Sequence, residues 1–251
     1  MDRRIKYLIG IDTETCNAIS LPDGGCDLKD SIVYDVGWEV TDKRANVYLE
    51  RSFIVAEVFL GMADIMKSAY YAKKNPQYLE DINAGRRIVK PFGEIVRIFR
   101  QDCRDWNIQA IFAHNARFDW NVLNNTQRFL TKSRYRYFFP YGIEIWDTMK
   151  MAQSTIAKQK GYIAFCDMHN YKTKKGQPRV TAEILTRYLL GDNAFNESHT
   201  GLEDVRIEAK ILAHCFKQHK SMNKQVFSDR EFYPFPEILI WKKQKINMAW
   251  G

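Results

Sequence analysis

The chain predicts an α/β fold, a mixed sheet of about five strands flanked by helices, and three observations carry that expectation. An apolar run at residues 7–11 (YLIGI) stops at Asp12, as a buried strand does when it delivers a polar residue at its end. Two strand-like stretches, 31–40 (SIVYDVGWEV) and 46–55 (NVYLERSFIV), are separated only by a short polar segment, which suits an antiparallel hairpin or meander. From residue 109 onward strand and helix alternate: QAIFAH precedes ARFDWNVLNNTQRFL, and IEIW precedes a helix that Asp147 or Thr148 can cap. Such alternation implies parallel pairing through crossover helices.

The remaining elements follow in chain order. LPDGG at 21–25 has turn composition. Residues 62–84 and 91–106 carry apolar side chains at three- and four-residue spacing and read as helices, with Pro91 suited to a first turn. Residues 158–180, rich in Lys, Gly and aromatic residues, break the pattern and read as a basic insertion loop. Helices at TAEILTRYLLG and at about 201–220 follow, and then an aromatic tail over about 222–251 with Phe232, Tyr233, Phe235, Trp241 and Trp250. No internal repeat, low-complexity tract or compositional boundary divides the chain, so 1–251 is expected to be a single domain with these two appendages.

With 45% apolar and 14% aromatic residues, the 251-residue chain can bury a sizeable core, which argues against a disordered main state. Its 38 basic against 30 acidic side chains give +8, a balance that favours polyanionic partners such as nucleic acid. No apolar run approaches the ~20 residues of a membrane span, and Asp12 interrupts the basic-then-apolar start too early for a signal peptide. The five scattered cysteines suit a reducing compartment, so a soluble cytoplasmic protein is expected. Cys166 and His169 form a C-x-x-H pair without a second pair at comparable spacing, which does not make a structural zinc site.

Five residues in three motifs carry the chemistry: Asp12 and Glu14 in LIGIDTET, Asp119 in IFAHNARFDW, and His199 with Asp204 in ESHTGLED. Asp12 and Glu14, two residues apart on a strand, share one face and can grip one ion. As hard oxygen ligands they favour Mg²⁺ or Mn²⁺ over zinc. An acidic pair can also do no more than cap an edge strand. Asp119 falls in a helix first turn, where a carboxylate gains from the helix dipole, so capping alone is open there too. Against that, both strands deliver an acid at their carboxyl ends, where open α/β sheets place ligands. His199, ahead of a helix that carries Asp204, is an imidazole able to take a proton from water at neutral pH.

In this order and with these spacings the three motifs resemble the DEDDh subgroup of the DEDD 3′→5′ exonucleases, whose fold is RNase H-like and which are similar to polymerase proofreading subunits. The resemblance spans about residues 5–215, and the histidine five residues before the last acid assigns the subgroup. Gly201 stands where these enzymes commonly carry Ala. The resemblance implies two divalent cations, Mg²⁺ or Mn²⁺, held ~3.5–4 Å apart by Asp12, Glu14, Asp119 and Asp204, with His199 as general base and a 5′-mononucleotide as product. It also implies that Thr13, Thr15, Asn115 and Phe118 line the pocket for the terminal nucleotide.

Outside the motifs, Lys158, Lys160, Lys172, Lys174, Lys175 and Arg179 bracket Tyr162, Phe165 and Tyr171, a mix that could track the phosphates and stack the bases of a single strand, or could simply keep a hairpin soluble. The aromatic tail is expected either to pack on the domain or to dock a replication or polymerase partner. The leading expectation is a stand-alone exonuclease on single-stranded DNA or RNA. Its alternatives are a phosphodiesterase on short oligonucleotides or signalling nucleotides, and a nucleic-acid-binding module that no longer cleaves.

Overall fold

The computed structural model describes residues 5–17, 19–20, 26–27, 30–69, 71–131, 137–224 and 226. At its centre lies β1 (Leu8–Cys16), paired antiparallel with β4 (Ile32–Thr41), which pairs antiparallel with β5 (Val47–Val55). On the other side β1 runs parallel to β7 (Ala110–Ala113), and β7 parallel to β8 (Glu144–Asp147). A sixth strand, β6 (Ile88–Lys90), adds parallel to β5, giving the order β6-β5-β4-β1-β7-β8. The five strands expected from sequence are present; β6 is three residues long, too short to show an alternation. A separate two-residue pair, β2 (Ile19–Ser20) and β3 (Cys26–Asp27), is antiparallel. The LPDGG segment between them lies outside the described residues, as do the five aromatic residues singled out in the tail.

Both faces of the sheet are covered. Successive residues Leu8 and Ile9 on β1, and Ile111 and Phe112 on β7, fall into different apolar clusters, as period-two alternation requires. One cluster is closed by α4 (Phe92–Asp105) and α5 (Arg117–Leu130) and is rich in aromatics, Trp38, Phe99 and Phe138 among them. On α4 the buried set Phe92, Ile95, Val96, Phe99 and Cys103 follows the three-four spacing of an amphipathic helix. The other cluster is closed by α6 (Thr148–Ser154), α7 (Lys160–Met168), α8 (Ala182–Leu190) and α9 (Gly201–Lys217).

Two stretches depart from the sequence expectation. Residues 62–84 do not form one helix. They follow α1 (Ala56–Phe59) as α2 (Ala63–Met66), a 3₁₀ turn at Ala72–Lys74 and α3 (Asn75–Asn83), with Pro76 in the first turn of α3. A proline ring clashes with the carbonyl four residues back and lacks an N–H, so Pro76 starts a helix and cannot continue one. Within 158–180, read from sequence as a loop, α7 buries Tyr162 and Cys166, one turn apart, in the second cluster. Only the hairpin that turns at Gly176, with Thr173 N–H donating to the Gln177 carbonyl (2.8 Å), stands out from the body.

The start of α9 sits directly on the sheet. A Cβ at Gly37 on β4 would lie 2.2 Å from the Leu202 backbone nitrogen, and one at Gly201 would lie 2.7 Å from the Gly37 nitrogen. Backbone cannot yield as a flexible side chain does, so both positions need glycine. The residue that stands in place of the common Ala is therefore set by this contact. Gly201 N–H also points at the buried Asp35 carboxylate (3.4 Å), which accepts a hydrogen bond from the Tyr78 hydroxyl (2.6 Å).

Candidate active site

The parallel pairing of β1 and β7 is confined to Ile9↔Ile111 and Gly10↔Phe112, while β1 continues to Cys16. Beyond that point the strand presents Asp12, Thr13, Glu14 and Thr15 to a cavity of about 480 Å³ instead of to a neighbouring strand on that side. The end of β7 and the start of α5 add His114, Asn115 and Phe118, and the approach to α9 adds His199 and Asp204. Asp119 stands behind this wall, 2% exposed, with its Oδ1 accepting from the Thr13 hydroxyl (2.8 Å). Asn115 adopts φ +66 and donates its N–H to Asp147 Oδ1 (3.1 Å), the carboxylate that also caps α6.

The structure thus brings the cavity-lining residues named from sequence together with Asp119 directly behind them. Lys172, Lys174 and Lys175 lie elsewhere, on the exposed hairpin, where Lys172 is paired with Asp167 (2.6 Å). Sequence reading missed Tyr71, His114, Glu197 and Glu208 on the cavity wall, and Lys74 beside it. Glu208 had a readable signal, since it follows Asp204 by four residues on α9 and so shares its face. Tyr71 and Lys74 had none, because they reach the site through the break in the 62–84 region.

His199 is held from several sides. Its ring stacks on Tyr71 with centroids 4.2 Å apart and planes 16° from parallel. Its backbone takes φ +49, an uncommon conformation for a side-chain-bearing residue. The Lys74 ammonium donates to the carbonyls of Ser198 and His199 and so fixes that conformation. Ser198 Oγ donates to Asp204 Oδ1 (3.2 Å), tying the same segment to the acid on α9. Burial, and then the positive charge of Lys74, hold the His199 imidazole below its ordinary pKa, so that it is the neutral form that stands at pH 7.

The acids are crowded and dry. Burial, and then repulsion from Asp119, Glu208, Asp204 and Glu14, raise Asp12 well above the carboxylate range. For the same primary reason Glu14 is pushed up to about 9, Asp119 to about 7 and Asp204 to about 6. Glu208 is 3% exposed, and its Oε2 has no hydrogen-bond partner among the described residues. Repelling carboxylates with an unsatisfied buried oxygen fit a divalent cation, whose charge reverses their repulsion. Glu14, His199 and Asp204 each offer a ligand atom within 4.8 Å of the others, and so do Glu183, Glu197 and His199.

These shifts have a sign that can be tested. Carboxyls that ionise near ~4 in the unfolded chain stay protonated in the folded, metal-free protein up to about 6, 7 and 9 for Asp204, Asp119 and Glu14. The folded state is the greater proton binder across that window, so its stability falls as pH rises through it. Cation binding displaces those protons. The Tm in chelator is expected to be lower at about pH 8 than at about pH 5.5, and the Tm gain on adding Mg²⁺ or Mn²⁺ to be larger at the higher pH. Equal gains at both pH values would contradict this account.

No protein-family model matches the sequence, and no curated protein matches it. Solved structures do match the fold. One is the nuclease domain of 3′hExo, a DEDDh family member, bound to rAMP, with a TM-score of 0.52 over 90% of this chain and 100% of that one at 11% identity. Another is E. coli Exonuclease I in complex with a dT13 oligonucleotide, with a TM-score of 0.50 over 85% of this chain at 13% identity. This chain covers 42% of the length of that E. coli protein. What is shared at such identities is the fold, a six-stranded mixed sheet flanked by helices as in the RNase H-like DEDDh exonucleases.

Proposed function

We propose that this protein is a metal-dependent 3′→5′ exonuclease of the DEDDh type, releasing 5′-mononucleotides from single-stranded DNA or RNA. The observation that carries the reading is the gathering of Asp12, Glu14, His199 and Asp204 around one cavity, with Asp119 immediately behind it, from three distant segments of the chain. Burying so many acids together costs stability, and a cluster of this kind persists where function needs it.

Asp12, Glu14, Asp119 and Asp204 would hold the divalent cations, Mg²⁺ or Mn²⁺ by the hard-oxygen character of the set. When bound, such ions supply Lewis-acid stabilisation of charge on the phosphoryl and departing oxygens. His199, neutral at pH 7 and held over Glu14 and Asp204, takes the proton of the attacking water. Tyr71 and Lys74 keep its ring and backbone in place. Asn115 and Phe118, which line the same cavity, would meet the terminal sugar and base, and the Thr13 hydroxyl orients Asp119.

Digestion of 5′-labelled single-stranded DNA and RNA tests this. The expected result is a ladder shortening from the 3′ end in Mg²⁺ or Mn²⁺ and no shortening in chelator. Intact substrates of both kinds, with protein shown to be folded, would overturn the exonuclease reading.

A further inference from the structure

A second cavity, of about 580 Å³, adjoins the acidic one and shares Met149 and Thr181 with it. Its size lies in the ~300–1,000 Å³ range of ligand sites. We propose that it binds the sugar-phosphate backbone of the nucleotides preceding the 3′-terminal one, an inference that rests on the exonuclease reading above.

Charge is the first support. Among the described residues the acidic cavity is lined by five carboxylates, whereas the second is lined by Lys158 and Arg179 with no acid. Both cations are exposed, and neither is ion-paired among the described residues, in contrast to Lys172. An unneutralised Lys and Arg beside an acidic site that would hold cations and the scissile phosphate are suited to the phosphates that lead into it. Thr173 and Gln177 add neutral polar side chains of the kind that contact phosphate and sugar without reading sequence.

The cavity is also rigidly placed relative to the acids. Arg179 N–H donates to the Tyr171 carbonyl (2.9 Å), and the Tyr162 hydroxyl, rooted in the core, donates to the Arg179 carbonyl (2.5 Å). The next residue, Val180, bonds through its carbonyl to Nε2 of His114 (2.7 Å), which itself lines the acidic cavity. The Arg179 backbone is thus fixed to the end of β7, one step from the site of hydrolysis. Among the described residues no aromatic ring lines the second cavity, and the side chains it offers suit the backbone of the strand and not stacked bases. Binding there is therefore insensitive to sequence.

The test compares wild type with a Lys158→Ala/Arg179→Ala variant on dT12 and dT2, measuring KM and the salt dependence of dT12 binding. Loss of two phosphate contacts is expected to flatten the slope of log K against log[salt] by about 1.4, at ~0.7 per contact on single strands. The KM for dT12 is expected to rise on the order of tenfold and that for dT2 by less, so that the preference for the longer strand shrinks. If wild type cleaves both and the variant matches it in slope and in KM, this inference fails while the exonuclease reading stands. If wild type binds dT12 with a slope that the variant loses, yet cleaves nothing, the exonuclease reading fails and the backbone site remains. A slope lost in a Lys174→Ala/Lys175→Ala variant and kept in Lys158→Ala/Arg179→Ala would place the strand on the hairpin and overturn the proposal.

Discussion

Replacing Asp12 by Asn is expected to lower kcat on single-stranded DNA by at least ~10³-fold, since the metal contribution it supports is worth several kcal/mol. In the same variant the metal-free protein should melt at a higher temperature than wild type near neutral pH. Asp12 is the acid most crowded by its neighbours, held above the carboxylate range by burial and by four other acids. An isosteric amide removes that repulsion and leaves the shape. Thermal melts in chelator and in Mg²⁺ check both halves: the metal-induced rise in Tm should shrink as the chelator value climbs. A variant that loses Tm in chelator would mean that Asp12 is a structural acid, and full activity would remove it from the metal site.

His199→Ala is expected to cost ~10²–10⁴ in kcat at neutral pH, the usual worth of a positioned general base. Cation affinity, measured by calorimetry, should change far less. The pH profile separates a base from a residue that merely packs. Activity that needs a neutral imidazole is lost as pH falls through its pKa, which burial and Lys74 hold below the ordinary value. With cation kept saturating at each pH, so that protonation of the acids does not itself limit the rate, wild type should therefore keep its activity down to mildly acidic pH and then lose it, and the variant should lack that limb. An unchanged rate would mean that another group takes the proton.

Most of the sheet was legible because its central strands are covered on both faces and so read as near-continuous apolar runs, β4 being buried along its whole length. What escaped is instructive. The 62–84 segment has helical spacing throughout, but Pro76 forces a restart, and tertiary contacts such as Tyr78 on Asp35 fix the pieces. Within 158–180 the lysines and glycines masked α7, whose burial rests chiefly on Tyr162 and Cys166. In the site, the acids were readable because each ends or follows an apolar run. Tyr71 and Lys74 were not, since Lys74 meets the His199 segment from 124 residues away in sequence. Basic composition pointed to the 158–180 region but could not say which side chains face the acids. The fold puts Lys158 and Arg179 on the cavity that adjoins the acidic one and leaves Lys174 and Lys175 in solvent.

The contact of Gly37 with Gly201 bears on how this sequence can drift. Packing defects in most cores can be repaired in pairs, a larger residue here answered by a smaller one there. That route is closed when both partners are already the smallest residue, because neither can shrink to make room for the other. A methyl group at either position has no compensating neighbour, and it displaces the helix that carries Asp204. Descendants of this chain are therefore held to glycine at both positions for as long as Asp204 matters, although neither residue touches the chemistry.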